Sequence, residues 1–334
     1  MASAAPLVAV TGAEGFIGSH LTEALVASGH RVRAMAQYNS FSSYGWLETL
    51  APEVLAEVEI VLGDVRDPGS VRGLVTGAET VYHLAALIAI PYSYQAPHSY
   101  VDTNVTGTLN VLEAVRHLQT PRLVHTSTSE TYGTAQTVPI TEDHPINTQS
   151  PYAASKAGGD RLADSYHASF ETPVVTLRPF NTFGPRQSMR AVIPTVIGQV
   201  ASGSREITLG DLRPTRDFTF VADTAQAFIA VGTAPADAVV GRTFNAGTGG
   251  EISVGDLVRL IGKVMEADLD VREDEQRIRP AASEVMRLVA DASRLRAATG
   301  WAPGHDLEQG LARTVEFFRD PANLARYKTD IYNI

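Results

Sequence analysis

The feature that most narrows what this chain can fold into lies near its start. Apolar residues Leu7 to Val10 run straight into Thr11, Gly12, Ala13, Glu14, Gly15, Phe16, Ile17 and Gly18, and the amphipathic stretch Phe16 to Ser28 follows at once. Glycines at these points let the chain turn tightly and bring backbone amides up to a pyrophosphate, at the positive end of the helix that begins there. Read alone, such a turn suits a plain tight turn as well as a dinucleotide. Its position between a strand and a helix favours the dinucleotide, with Gly12, Gly15, Phe16, Ile17 and Gly18 as the expected contacts.

Further strand-like runs follow at short intervals: Arg31 to Met35, Val58 to Leu62, Thr80 to Leu84, Leu123 to Thr126 and Val174 to Leu177. Helical stretches separate them, notably Tyr100 to Leu118 and Tyr152 to Phe170. This alternation predicts an α/β fold, a Rossmann-type doubly wound parallel sheet. The predicted cofactor-binding domain covers 1–180, with a return to the main sheet at about 218–247. Beyond Pro179 the elements shorten and Gly and Pro become frequent, which predicts a smaller C-terminal lobe, 181–334, for the substrate. The outer faces of the two long helices suit either a homodimer contact or simple cover for the sheet.

Composition removes several classes of function. A net charge of −10 over 334 residues gives no general attraction for nucleic acid or anionic lipid. Without cysteine there is no disulfide or thiolate nucleophile, and the nine histidines show no ligand spacing, so no metal is expected. His83 and His125 lie in strand-like runs and read as packed core. The longest apolar run, Leu84 to Ile90, is far short of the ~20 residues of a membrane span. The start of the sequence lacks the basic and apolar pattern of a secretory signal, so a cytoplasmic chain is expected.

In such a fold an acidic residue ordinarily ends the second strand and holds an adenosine ribose. Here the turn reads Ala36, Gln37, Tyr38, Asn39, Ser40, with neither carboxylate nor arginine. Charge therefore leaves NAD and NADP open, and the lack of a basic partner for a 2′-phosphate favours NAD, with Asn39 among the contacts. After the third strand, Asp64 and Val65 are placed to meet the adenine, although Asp64 standing alone reads better as a capping residue. Tyr152 and Lys156 stand four apart on a helix and share one face, where the ammonium is expected to lower the phenol pKa from its ordinary ~10.

Upstream of that pair, Thr126, Ser127, Thr128, Ser129, Glu130, Thr131, Tyr132 and Gly133 follow the fifth strand. With these residues the chain resembles the extended short-chain dehydrogenase/reductases, the NAD-dependent epimerase/dehydratase family. The resemblance extends to Leu84, Ala85 and Ala86, to Asn104 with Gly107 and Thr108, and to Arg178, Pro179, Phe180 and Asn181. It implies that Thr128 hydrogen-bonds the sugar hydroxyl to be oxidised, Tyr152 removes its proton and Lys156 holds the cofactor ribose. It also implies cofactor contacts at Leu84, Ala85, Ala86, Asn104 and Thr126. Asn181, Arg190, Val192, Ile193, Arg216 and Arg279 then look like a nucleotide-sugar site, the arginines neutralising a diphosphate through paired, charge-assisted bonds. Each arginine in isolation would read as a surface ion pair.

Glu130 narrows the reaction. Within the resemblance, 4-epimerases need only the Ser/Thr, Tyr and Lys, whereas 4,6-dehydratases add an acid and a base beside the Thr. Better-known hexose dehydratases read Thr-Asp-Glu, while this chain reads Thr128, Ser129, Glu130. Ser129, counted with Glu130 among the catalytic candidates, is no acid at neutral pH, and whether Glu130 alone serves as both base and acid stays open. UDP-glucuronate decarboxylases share Thr-Ser-Glu and are the alternative, with 4-epimerases next and a non-catalytic NAD-binding regulator last. A longer likeness, through Tyr38 to Phe41, Gly45 and Trp46, Ile88 to Tyr94, Gly133 to Gln136 and Gly184 to Ser188, resembles LegB-type dehydratases. It implies a nucleoside diphosphate N-acetylglucosamine as substrate.

Overall fold

The computed structural model describes residues 5–333 apart from 279 and 281. Strands β1 (Leu7–Thr11), β2 (Arg31–Gln37), β3 (Val58–Gly63), β4 (Thr80–His83), β5 (Arg122–Thr126), β6 (Val174–Pro179) and β7 (Thr243–Ala246) form one seven-stranded sheet. All neighbours are parallel, in the order β7-β6-β5-β4-β1-β2-β3. Central strands such as β6 are buried along their whole length because helices cover both faces, which is why they read as unbroken apolar runs rather than alternating ones. Strand order reverses between β1 and β4, and the crevice beyond their carboxyl ends is where such a sheet takes a ligand. The architecture is the expected Rossmann-type α/β fold.

Local chemistry sets the two long helices. Helix Pro151–Phe170 starts because Ser150 accepts from Ala153 N and Pro151 occupies the first turn, where its missing N–H costs nothing. The expected helix Tyr100 to Leu118 forms in two windings, π-helical over Val101–Thr106 and α-helical over Gly107–Leu118. At that loosening the Thr108 hydroxyl donates to Asn104 O at 2.7 Å.

A second apolar core lies outside the sheet, where Phe183, Val196, Ile197, Leu257 and Leu311 are all fully or almost fully buried. Helices Val192–Ala201, Val254–Met265 and Leu307–Arg319 enclose it. The stretch beginning at Phe218 divides its loyalties. Strand Phe218–Phe220 pairs with Asn181–Phe183, away from the main sheet, whereas helix Val221–Thr233 packs against helix Phe16–Ala27 and buries Phe228 and Val231 beneath it. Among the described residues no helix is long and apolar enough to cross a membrane.

Candidate active site

Two glycines shape the floor of the crevice. Gly12 has φ +68°, and a Cβ there would lie 2.8 Å from Ala85 N; a Cβ on Gly18 would lie 2.0 Å from Gly12 O. Only hydrogen fits at either position. The Thr11 hydroxyl accepts from Leu84 N at 3.0 Å and Ala85 N at 3.1 Å, so the loop after β4 is locked onto the glycine-rich turn. Phe16 and Ile17 sit half-buried at the head of the following helix. Ala86 continues the same loop.

Several side chains expected to face a cofactor are turned inward. Asn104, almost fully buried, accepts from Leu87 N at 2.8 Å and donates to Leu87 O and Ser155 Oγ, both at 2.9 Å. Its amide hydrogens are used in clipping the loop after β4 to helix Pro151–Phe170. Asn39 likewise donates to Gln37 O and Ser43 O and accepts from Phe41 N and Ser43 N, which shapes its own loop. The Val65 side chain is buried in the core, packed toward Gly107. Asp64 accepts two-pronged hydrogen bonds from Arg66, and that contact holds its carboxyl below the usual range. Sequence spacing shows that such residues are near the crevice but not which way an amide points.

A dinucleotide nevertheless fits what is present. The Thr126 hydroxyl at the end of β5 and Glu14 Oε2 in the glycine-rich turn are both buried without a hydrogen-bond partner, and the turn is a cradle that any Cβ at Gly12 or Gly18 would fill.

Beside the crevice, Tyr152, Lys156 and Asp160 follow one another at four-residue intervals on a single helix face, and all three are buried. Thr128 caps the short turn Ser129–Tyr132, accepting from Glu130 N at 3.3 Å, and its hydroxyl faces the Tyr152 phenol. The Glu130 carboxylate is close enough for its charge to act on the same phenol, whereas Ser129 is buried beneath the turn. Burial pushes the phenol pKa above its ordinary value, further than the Thr128 hydrogen bond lowers it. The expected net lowering of the phenol is therefore not found, because burial dominates. Burial also brings Lys156 down to about 8, against the opposing pull of Asp160.

Asp160 was not singled out from the sequence, although the 152, 156, 160 spacing points to it. It takes hydrogen bonds from Ser127 Oγ at 2.6 Å, Arg178 at 2.9 Å and His125 Nε2 at 3.1 Å. Burial alone would raise its pKa, but His125, Arg178 and Ser127 together hold it well below the usual carboxylate range. Arg178 also donates to the Tyr132 hydroxyl, which in turn donates to Asn245 Oδ1. His83 stacks on His125 and bridges the Thr11 and Thr108 hydroxyls.

On the substrate side the expected residues divide. Arg190 is exposed, donates to Ser188 Oγ at 3.0 Å and lies near enough to influence Tyr100, whose ring meets Tyr152 edge to face. Arg216 is buried and donates to Glu284 at 3.1 Å and to Thr215 O. Asn181 is half-buried on its strand. Ile193 is a correction: at 1% exposure it packs with Val196 and Ile197 in the second core and presents nothing to a nucleotide base. Val192, half-buried, packs on the edge of that core. Arg279 lies outside the described residues.

A glycine-rich turn at the crevice of a parallel sheet, flanked by Thr, Tyr and Lys, defines the class of short-chain dehydrogenase/reductases. Residues 9–314 match the family described as GDP-mannose 4,6 dehydratase, and the chain belongs to this NAD-dependent epimerase/dehydratase branch of the extended class. It is 35% identical over 319 residues to the UDP-glucose 4-epimerase of Mycolicibacterium smegmatis, covering 93% of this chain and 98% of that one. The dTDP-glucose 4,6-dehydratase DesIV of Streptomyces venezuelae, solved with NAD bound, superposes with a TM-score of 0.86 at 28% identity, over 96% of this chain and 99% of that chain. The UDP-N-acetylglucosamine 4-epimerase of Methanobrevibacter ruminantium superposes with a TM-score of 0.83 at 31% identity, over 95% of this chain and 99% of that one. Similarity therefore reaches both dehydratases and epimerases.

Proposed function

We propose that this chain is an NAD-dependent 4,6-dehydratase acting on a nucleoside diphosphate N-acetylglucosamine. The observation that carries the reading is the Glu130 carboxylate, in a turn capped by Thr128 and within electrostatic reach of Tyr152. Gly12, Gly15 and Gly18 would hold the cofactor pyrophosphate, and Thr126 and Lys156 its nicotinamide half. Bound NAD would supply a cationic ring beside the phenol and the means to take up a hydride from C4 and give it back at C6. Thr128 orients the C4 hydroxyl and Tyr152 takes its proton. The resulting ketone acidifies the C5 hydrogen, so that the Glu130 carboxylate can remove it. Glu130 then returns that proton to the departing C6 hydroxyl and water leaves; hydride return to C6 would be completed by a solvent proton delivered to C5, while Tyr152 gives up to solvent the proton it took from the C4 hydroxyl.

In this reading residues 1–180, with the return segment 218–247, hold the cofactor, and 181–334 mainly hold the sugar nucleotide through Asn181, Arg190 and Arg216. Two copies would pair through the outer faces of helices Gly107–Leu118 and Pro151–Phe170, where Phe170 is half exposed. The N-acetyl sugar rests on the LegB-type likeness and on the UDP-N-acetylglucosamine epimerase among the structural relatives.

The test is incubation with UDP-N-acetylglucosamine, its GDP counterpart, UDP-glucose, dTDP-glucose and UDP-glucuronate. Loss of one water from an N-acetylglucosamine nucleotide is the expected result. Inversion at C4 without mass change, or carbon dioxide released from the glucuronate alone, overturns it. Glu130→Gln should accumulate NADH absorbance without eliminating water, and normal product from that variant would remove Glu130 from the mechanism.

A further inference from the structure

The residue that ordinarily recognises the adenosine ribose is missing from the end of β2, yet a carboxylate stands there. It comes from the glycine-rich turn. Glu14 Oε1 accepts from the backbone of Gln37, the last residue of β2, at 3.1 Å. Its other oxygen, Oε2, is buried and has no partner. Two contacts fix the residue from behind: Trp46 N donates to Glu14 O at 3.0 Å, and Gly45, at φ +58°, is so close that a Cβ would lie 2.7 Å from the same oxygen.

We infer that Glu14 binds the adenosine ribose hydroxyls of NAD and excludes the 2′-phosphate of NADP. A buried carboxylate oxygen without a donor is unfavourable, and a vicinal diol supplies donors of the right geometry. Burial raises the Glu14 pKa, as expected of a carboxyl that gives up water before its partner arrives. Two other polar side chains of β2 and the loop after it are committed elsewhere. Asn39 spends its amide on its own loop, and the Arg33 guanidinium is held by Glu59, Leu74 O and Thr76 O. A 2′-phosphate would remove one donor and set roughly two negative charges against the carboxylate. This assignment rests on the proposed use of NAD but not on which reaction follows.

The experiment is titration of nucleotide-stripped protein with NAD and NADP, followed by tryptophan fluorescence or calorimetry, for wild type and Glu14→Gln. The glutamine keeps an acceptor for Gln37 N and loses only the charge. Its Kd for NAD should rise about 10-fold, the scale of one hydrogen bond to a charged group, while NADP binds more tightly and the wild-type preference falls by about 10-fold or more. As a measurement free of any folding effect, NAD lacking the adenosine 2′-hydroxyl should bind wild type about 10-fold more weakly than NAD. An unchanged preference in Glu14→Gln, or equal wild-type affinity for the deoxy analogue, overturns the role of Glu14 and leaves the reaction untouched. Failure of wild type to bind either dinucleotide overturns both this inference and the proposed function.

Discussion

Asp160→Asn is the most exacting perturbation of the site, because it removes one charge and almost no volume. Asp160 is 2% exposed and is the carboxylate partner of Arg178, itself buried. It also exerts the one favourable charge effect on buried Lys156. Asparagine cannot accept from Ser127, His125 and Arg178 together, and it leaves two buried cations uncompensated. Removing one member of a buried ion pair costs about 3–5 kcal/mol. Unfolding entropy of about 2.1 cal/mol/K per residue over 334 residues gives about 0.7 kcal/mol/K, so the melting temperature should fall by about 4–7 °C. Differential scanning calorimetry of the nucleotide-free protein reads this directly. The same change should move the alkaline limb of the pH-rate profile downward, because Lys156, at about 8 with Asp160 present, loses the charge that holds it up. A melting temperature within about 1 °C of wild type, together with an unmoved alkaline limb, would refute the account.

Two further expectations test the scaffold. Gly18→Ala sets a methyl group 2.0 Å from Gly12 O, so the turn must open and NAD affinity should fall at least about 10-fold; an unchanged Kd in the titration above would show that the turn does not carry the pyrophosphate. Acidification should destabilise the fold through His83 and His125. Burial lowers both pKa values, so below pH ~6.5 the unfolded chain takes up protons that the native one does not. Stability then declines by up to about 1.4 kcal/mol per pH unit for each histidine until the folded pKa is reached. Asp160, held far below the usual carboxylate range, keeps its contribution throughout this window. A melting temperature flat from pH 6.5 to pH 5 would count against it.

The sheet was legible because its strands are buried on both faces and its helices carry ordinary signals, such as Ser150 before Pro151. Spacing likewise placed Tyr152 and Lys156 on one face. What the sequence hid is orientation and commitment. Asn39 and Asn104 stand beside the crevice yet spend their amides on the protein itself, Asn39 on its own loop and Asn104 on Leu87 and Ser155, a choice that no periodicity describes. Ile193 reads as a loose apolar residue until the second core is seen to need it at the first turn of its helix. Glu14 stands inside the glycine motif without a role of its own, because nothing local says that its carboxylate reaches the end of β2.

The mixture of epimerases and dehydratases among the relatives follows from how the site is built. Tyr152, Lys156 and Asp160 belong to one long helix, and Asp160 ties it to β5 through His125 and to β6 through Arg178, so changing Lys156 or Asp160 disturbs buried charge. Glu130 stands apart from that network, in a four-residue turn whose backbone is fixed by the Thr128 cap and by Thr131 rather than by its own side chain. A residue in that position can be exchanged at little cost to the fold. In the proposed reading the machinery for oxidising C4 would be shared with the epimerases, while the fate of the C5 hydrogen would rest on a side chain that the scaffold does not require. Similarity over the whole chain cannot choose between the two outcomes. The proposed dehydration therefore rests on the Glu130 carboxylate and not on any superposition.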